Sequence, residues 1–136
     1  MATFTLNKNE RLKSRKQIEQ LFKEGKNFVV FPYKVFYVTA NDQRSTTNNL
    51  QFGIGVSNRN FKKAVDRNRI KRLTREAWRL QKNELKALVN ENKITLNVFF
   101  IFTGKEIVEY NFAKEKVAVI LKKLIKLVDE NNTPHT

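Results

Sequence analysis

Cysteine is absent from this 136-residue chain, and the one histidine, His135, is the penultimate residue. Disulfides, a thiolate nucleophile and a Cys/His metal cluster are therefore excluded, and a reducing cytoplasm is the expected location. No Gly-rich loop of the P-loop type occurs. The 13 Asp and Glu residues are scattered. Asp66 and Glu76 would lie on different faces of one helix, so they could not share an ion. No catalytic residue, bound metal or cofactor is expected on the protein itself. No Pro/Gly/Ser-rich linker and no internal repeat divides the chain, which reads as a single domain over 1–136, with a basic N-terminal arm at 1–13 and a frayed tail at 131–136. The start, Met1-Ala2-Thr3-Phe4-Thr5-Leu6, lacks a signal-peptide pattern. Apolar runs such as Val98 to Phe102 are far too short to span a bilayer, so no membrane partner is expected.

What is present is positive charge. Lys and Arg number 27, and the formal net charge is +14. A folded domain this basic repels itself and is expected to meet a polyanion. Apolar residues make up 40% of the chain, including 11 Phe, enough for one core.

The periodicities predict an α+β fold. Ser14 to Gln17 reads as a capping box, followed by a helix at 15–24 with Ile18, Leu21 and Phe22 at helical spacing and Gly25 as its stop. A short strand at Asn27 to Phe31, ended by Pro32, precedes a longer one at Tyr33 to Ala40, where Tyr33, Val35 and Tyr37 alternate with Phe36 and Val38. Asn41 to Asn49 reads as a loop. In Leu50 to Ser57 one face is Leu50, Phe52, Ile54 and Val56. The other, Gln51, Gly53, Gly55 and Ser57, has so little bulk that it either admits a second chain or marks a bulge. A second helix is expected at 61–80, with a possible further segment to Val89. A strand at Ile94 to Thr103, apolar on both faces towards its end, belongs in the middle of a sheet. The last helix spans 112–128, its stripe of Val117, Ile120, Leu121, Leu124 and Val128 facing the core.

The second helix carries the functional signal. At ~100° per residue, Ile70, Leu73, Ala77 and Leu80 form a core-facing stripe. Asn68, Lys71, Arg72, Arg75 and Arg79 fall on the opposite arc, and Arg67 and Arg69 flank it. Like charges at this spacing repel by a few tenths of a kcal/mol per pair. Carboxylates do not offset them, and the residues are Arg-heavy. A nucleic-acid partner would remove the repulsion and release counterions. Arg also holds phosphate bidentately. A ribosomal or other structural RNA-binding protein, a DNA-binding regulator and a protein-only nuclease all compete at this point. No helix-turn-helix signal supports the second, and missing active-site groups weigh against the third.

The string Ala64-Val65-Asp66-Arg67-Asn68-Arg69-Ile70-Lys71-Arg72-Leu73-Thr74-Arg75-Glu76-Ala77 resembles the Arg-Asn-Arg signature of the bacterial ribonuclease P protein family. Arg11-Leu12 before the first helix and Phe52-Gly53-Ile54-Gly55-Val56-Ser57 before the signature helix also match, and the likeness spans about residues 9–128. It implies a two-layer α-β sandwich with a small four-stranded sheet, three helices and a left-handed β-α-β crossover (ribosomal-protein-S5-domain-2-like). It implies an endoribonuclease whose chemistry is carried by its RNA subunit with Mg²⁺, and which removes the 5′ leader of precursor tRNA. The partners would be that catalytic RNA and precursor tRNA, with no stable protein partner. By the same resemblance, Arg67, Asn68, Arg69, Lys71, Arg72 and Arg75 would contact RNA, and Arg79 on the same cationic arc, with Arg59 and Lys62 in the preceding loop, is expected to join them. Ile18, Phe22, Val35 and Tyr37 would line the leader cleft, where aromatic stacking suits a single strand of any sequence. The chain departs from the family pattern at Ile18, where Phe is common, and in Ser57 to Lys63, a loop one residue longer and without the usual Gly.

Overall fold

The computed structural model describes residues 11, 12, 14–40 and 50–132. The rest of the expected arm (1–10 and 13), the expected loop at 41–49 and residues 133–136, with His135, lie outside the described residues.

Helix α1 (Arg15–Glu24) opens at Ser14, whose hydroxyl accepts the Gln17 N–H at 3.4 Å, and closes at Gly25, whose N–H donates to Leu21 O. Strands β1 (Lys26–Val30) and β2 (Tyr33–Ala40) form an antiparallel hairpin across the cis Phe31–Pro32 peptide bond. Next come β3 (Leu50–Val56), α2 (Ala64–Gln81), α3 (Asn83–Glu91), β4 (Thr95–Phe102) and α4 (Tyr110–Asn132). Among the described residues there are thus four helices rather than three, because the chain turns at Lys82 and starts α3. The last helix holds residues 131 and 132, which were expected in a frayed tail.

The sheet order is β1-β2-β4-β3. β4 is central, as its two apolar faces predict, antiparallel to β2 and parallel to β3. The β3–β4 register is continuous from Leu50↔Leu96 to Val56↔Phe102, so Gly53 and Gly55 mark no bulge. They make room instead. A Cβ on Gly53 would sit 2.6 Å from the Phe99 ring and 2.9 Å from Leu12 O. The second chain admitted there is the protein's own N-terminal segment. Arg11 bridges to Phe52 in parallel, and the Leu12 N–H donates to Phe52 O at 2.8 Å. Residues 11 and 12 are therefore docked on the β3 edge, not part of a free arm.

Two apolar clusters lie on opposite faces of the sheet. The larger joins Tyr33, Val35, Leu50, Phe52, Val98 and Phe100 to Ile70, Ala77 and Trp78 of α2, Leu85 and Val89 of α3, and the expected stripe of α4. The smaller sits under α1 and joins Leu12, Leu21 and Phe99, with Ile18, Phe36, Val38 and Ile101 packed at its edge.

Candidate nucleic-acid interface

The core-facing stripe of α2 is not the one that apolar spacing predicts. Buried on α2 are Ile70, Thr74, Ala77 and Trp78, whereas Leu80 is 38% exposed and Leu73 is half-buried. The helix is rotated by about 60° from the expected orientation. Trp78 fixes this rotation, because its ring stacks on Phe52 with centroids 4.4 Å apart and planes 10° from parallel. Thr74 can be buried because its hydroxyl shares a 2.8 Å hydrogen bond with the Tyr33 hydroxyl.

The rotation sorts the cations. Asn68, Arg69 and Arg72 are exposed, as are Arg59 and Lys62 in the preceding loop, while Lys71 and Arg75 are half-buried. Among the described residues, none of these cations forms an ion pair. Arg67 turns towards the body, and its guanidinium donates to Phe61 O and Lys62 O, both at 2.8 Å. It braces the loop that leads into the helix rather than joining the outward row. Phe61 anchors the same loop in the core, and Ser57 closes it through hydrogen bonds to the Arg59 and Phe61 N–H groups. Arg79 is paired with Glu76 one turn earlier, and its Nε donates to Glu76 Oε2 at 3.0 Å. That hydrogen bond lowers the Glu76 carboxyl from its ordinary range and raises the Arg79 guanidinium. Arg79 is thus offset by the protein's own acid, contrary to its expected place in the unpaired row. Arg75 is held below the ordinary arginine range, first by burial and then by the nearby Arg11 cation.

On the other sheet face, Phe22 is 41% exposed. Its ring meets Phe36 at 4.8 Å and Phe99 at 5.6 Å between centroids. Ile18, Phe36, Val38 and Ile101 are only half-buried around it, so α1 leaves this aromatic face partly open. Lys34 lies over the Phe36 ring at 5.2 Å. Ile18 and Phe22 are therefore together, as expected, but Val35 and Tyr37 are not with them. Both are buried on the opposite face, Val35 against Phe100 and Tyr37 against Val98. Burial raises the Tyr37 hydroxyl above its ordinary range. In a strand a step of one residue changes face, and the side chains beside α1 are Phe36 and Val38. Both faces of β2 are apolar and aromatic, so alternation alone could not say which one meets α1. Phe99, which fills the space above Gly53, was likewise not singled out. Its signal was the pair of glycines directly across from the aromatic β4.

Among the described residues no three His, Cys, Asp or Glu side chains gather in one place. No described helix is long and apolar enough to cross a membrane.

Comparison with known proteins bears on this arrangement. The family model for ribonuclease P matches residues 6–130. The ribonuclease P protein component of Porphyromonas gingivalis strain ATCC 33277 is 38% identical over 109 residues, covering 80% of this chain and 78% of its own. That of Chlorobium phaeobacteroides is 36% identical over 106 residues, covering 74% and 73%. Among solved structures, the RNase P protein of Thermotoga maritima superposes with a TM-score of 0.63 at 27% identity, covering 84% of this chain and 96% of its own. The Staphylococcus aureus RNase P protein gives the same TM-score at 20% identity, which speaks to the fold alone. With Arg69 and Arg72 of the signature exposed on α2, the α+β fold in place and relatives matched over most of their length, the chain belongs to the ribonuclease P protein family.

Proposed function

We propose that this chain is the protein subunit that holds the catalytic RNA of ribonuclease P on the outer face of α2 and the 5′ leader of precursor tRNA on the aromatic face beside α1. The observation that carries this reading is the row of cations around the outer face of α2, Arg69, Lys71 and Arg72, which form no ion pair among the described residues and are backed by a buried stripe. Such a row gains nothing in the free protein and gains counterion release on RNA. On the other side, Phe22 and Phe36, seated on the buried Phe99, offer ring surface to unstacked bases. Holding the leader there would favour precursor over product, since mature tRNA has no leader to bind.

This reading puts no Mg²⁺ on the protein. Glu76 is engaged by Arg79, and no carboxylate cluster exists among the described residues. In this reading the cleavage chemistry belongs to the RNA, and the protein's contribution is binding and placement. The cytoplasm, where that RNA is made, is the proposed site of action.

Reconstitution tests this directly. Purified protein added to the catalytic RNA at low Mg²⁺ should stimulate cleavage of precursor tRNA and should cleave nothing by itself. Failure to stimulate, or cleavage by the protein alone, would overturn the assignment.

A further inference from the structure

The β3 edge brings together two guanidinium groups that the packing does not explain. Arg11 pairs in parallel with Phe52. Residues paired in this way share a face of the sheet, so Arg11 projects towards α2 while Leu12 enters the cluster under α1. Phe52 stacks on Trp78, and Arg75 stands three residues before Trp78 on the same flank of the helix. The two cations thus converge from a strand edge and a helix.

Among the described residues, no ion pair compensates either guanidinium. Arg11 Nε is buried and has no hydrogen-bond partner. Arg75 is half-buried, and its guanidinium is disfavoured by burial and by Arg11 itself. At ~100° per residue, the charged residues that α2 sets on this flank are Arg67, Lys71 and Arg75, whereas Asp66 and Glu76 fall on the other. A half-buried pair of like charges with an unmet donor is a costly arrangement unless an anion completes it. A phosphate fits, because its oxygens can accept from two guanidinium forks at once.

We propose that Arg11 and Arg75 together grip one backbone phosphate of the catalytic RNA at the β3 edge, making the docked N-terminal segment part of the RNA-binding surface. The inference rests on the ribonuclease P reading. It also gives the strand edge a purpose: β3 lies between the aromatic face and the basic helix, so RNA gripped there is close to both.

The test uses the full chain and the catalytic RNA, with variants Arg11→Met, Arg75→Met, their double, and Arg11→Lys. Met keeps an apolar stem while removing the fork. Each single Met variant should lose about tenfold in affinity, and its log–log salt slope should shrink by about 0.7–0.9. Arg11→Lys should recover most of the slope. Because one phosphate is shared, the double variant should lose far less than the product of the two single losses. In low salt without RNA, Arg11→Met should be at least as stable as the parent, since a repulsion has been removed. Full affinity in Arg11→Met, fully multiplicative losses in the double, or unfolding of Arg11→Met would each overturn the shared grip. An Arg69→Ala/Arg72→Ala control separates the two levels. Loss of affinity in the control but not in Arg11→Met sinks only this inference, whereas full affinity in the control sinks the reading beneath it.

Discussion

Tyr33 is sealed between β2 and α2, yet its hydroxyl is not orphaned, because it shares a 2.8 Å hydrogen bond with Thr74. Burial penalises the phenolate and raises its pKa to about 12, with the Thr74 hydrogen bond acting in the opposite sense. In the unfolded chain the same group would lose its proton near 10. The protonated form is thus common to both states below pH 10, and the stability tied to it is fully present there. As pH rises from 10 to 12 the unfolded state loses the proton first, and that stability is lost. The gap corresponds to something on the order of 2–3 kcal/mol. Tyr33→Phe should fold and lose about 1 kcal/mol at neutral pH, the cost of leaving the Thr74 hydroxyl without its partner. Its stability should then fall less steeply between pH 10 and 12, as measured by urea denaturation at each pH. An alkaline decline as steep as the parent's would show that Tyr33 is not the group responsible.

At the scale of the element, α2 shows what a periodic pattern can and cannot specify. That a helix exists here, and that one side is cationic, follows from spacing alone. Its rotation does not, because rotation is decided by partners far away in sequence: Phe52 for Trp78 and Tyr33 for Thr74. The same holds for β2, whose alternation was legible while the identity of the face under α1 was not. It holds again for Arg11 and Leu12, which look like a polar arm until β3 supplies a neighbour. Elements are legible where the signal is local, whereas two surfaces of similar composition compete in β2, and Val35 and Tyr37 fall on the face away from Ile18 and Phe22. The rotation of α2 predicts a division of labour among its arginines. Arg69→Ala/Arg72→Ala should weaken catalytic-RNA binding while changing stability by less than about 0.5 kcal/mol, as exposed substitutions do. Arg67→Ala should instead cost stability, roughly 1–2 kcal/mol, because Phe61 O and Lys62 O lose their charged donor. Equal effects of the two variants on stability, in denaturant titrations, would show that Arg67 does not brace the loop.

Across the whole molecule, the sheet is covered unequally, and that inequality is where function is sought. The face towards α2, α3 and α4 is filled by buried side chains from β2, β3, β4 and three helices, with the half-buried Phe28 and Val30 of β1 packed against them. The other carries one helix of ten residues, and rings remain accessible beside it. β2 serves both faces: Tyr33, Val35 and Tyr37 are buried in the larger cluster, while Phe36 and Val38 are half-buried beside α1. A folding sheet of this size needs only one filled face and some cover on the other, so an incompletely covered aromatic floor is room to bind. If a single-stranded leader lies there, ring faces matter and volume alone does not. Phe22→Leu and Phe36→Leu keep apolar bulk but remove the stacking surface, which is worth about 1–3 kcal/mol per base. Each should weaken binding of precursor tRNA by roughly tenfold while leaving mature tRNA binding unchanged, as measured by titration with the reconstituted enzyme. Tyr37→Phe, on the far face, should alter neither. If Tyr37→Phe discriminates between precursor and mature tRNA while Phe36→Leu does not, the leader lies elsewhere and the assignment of faces is reversed.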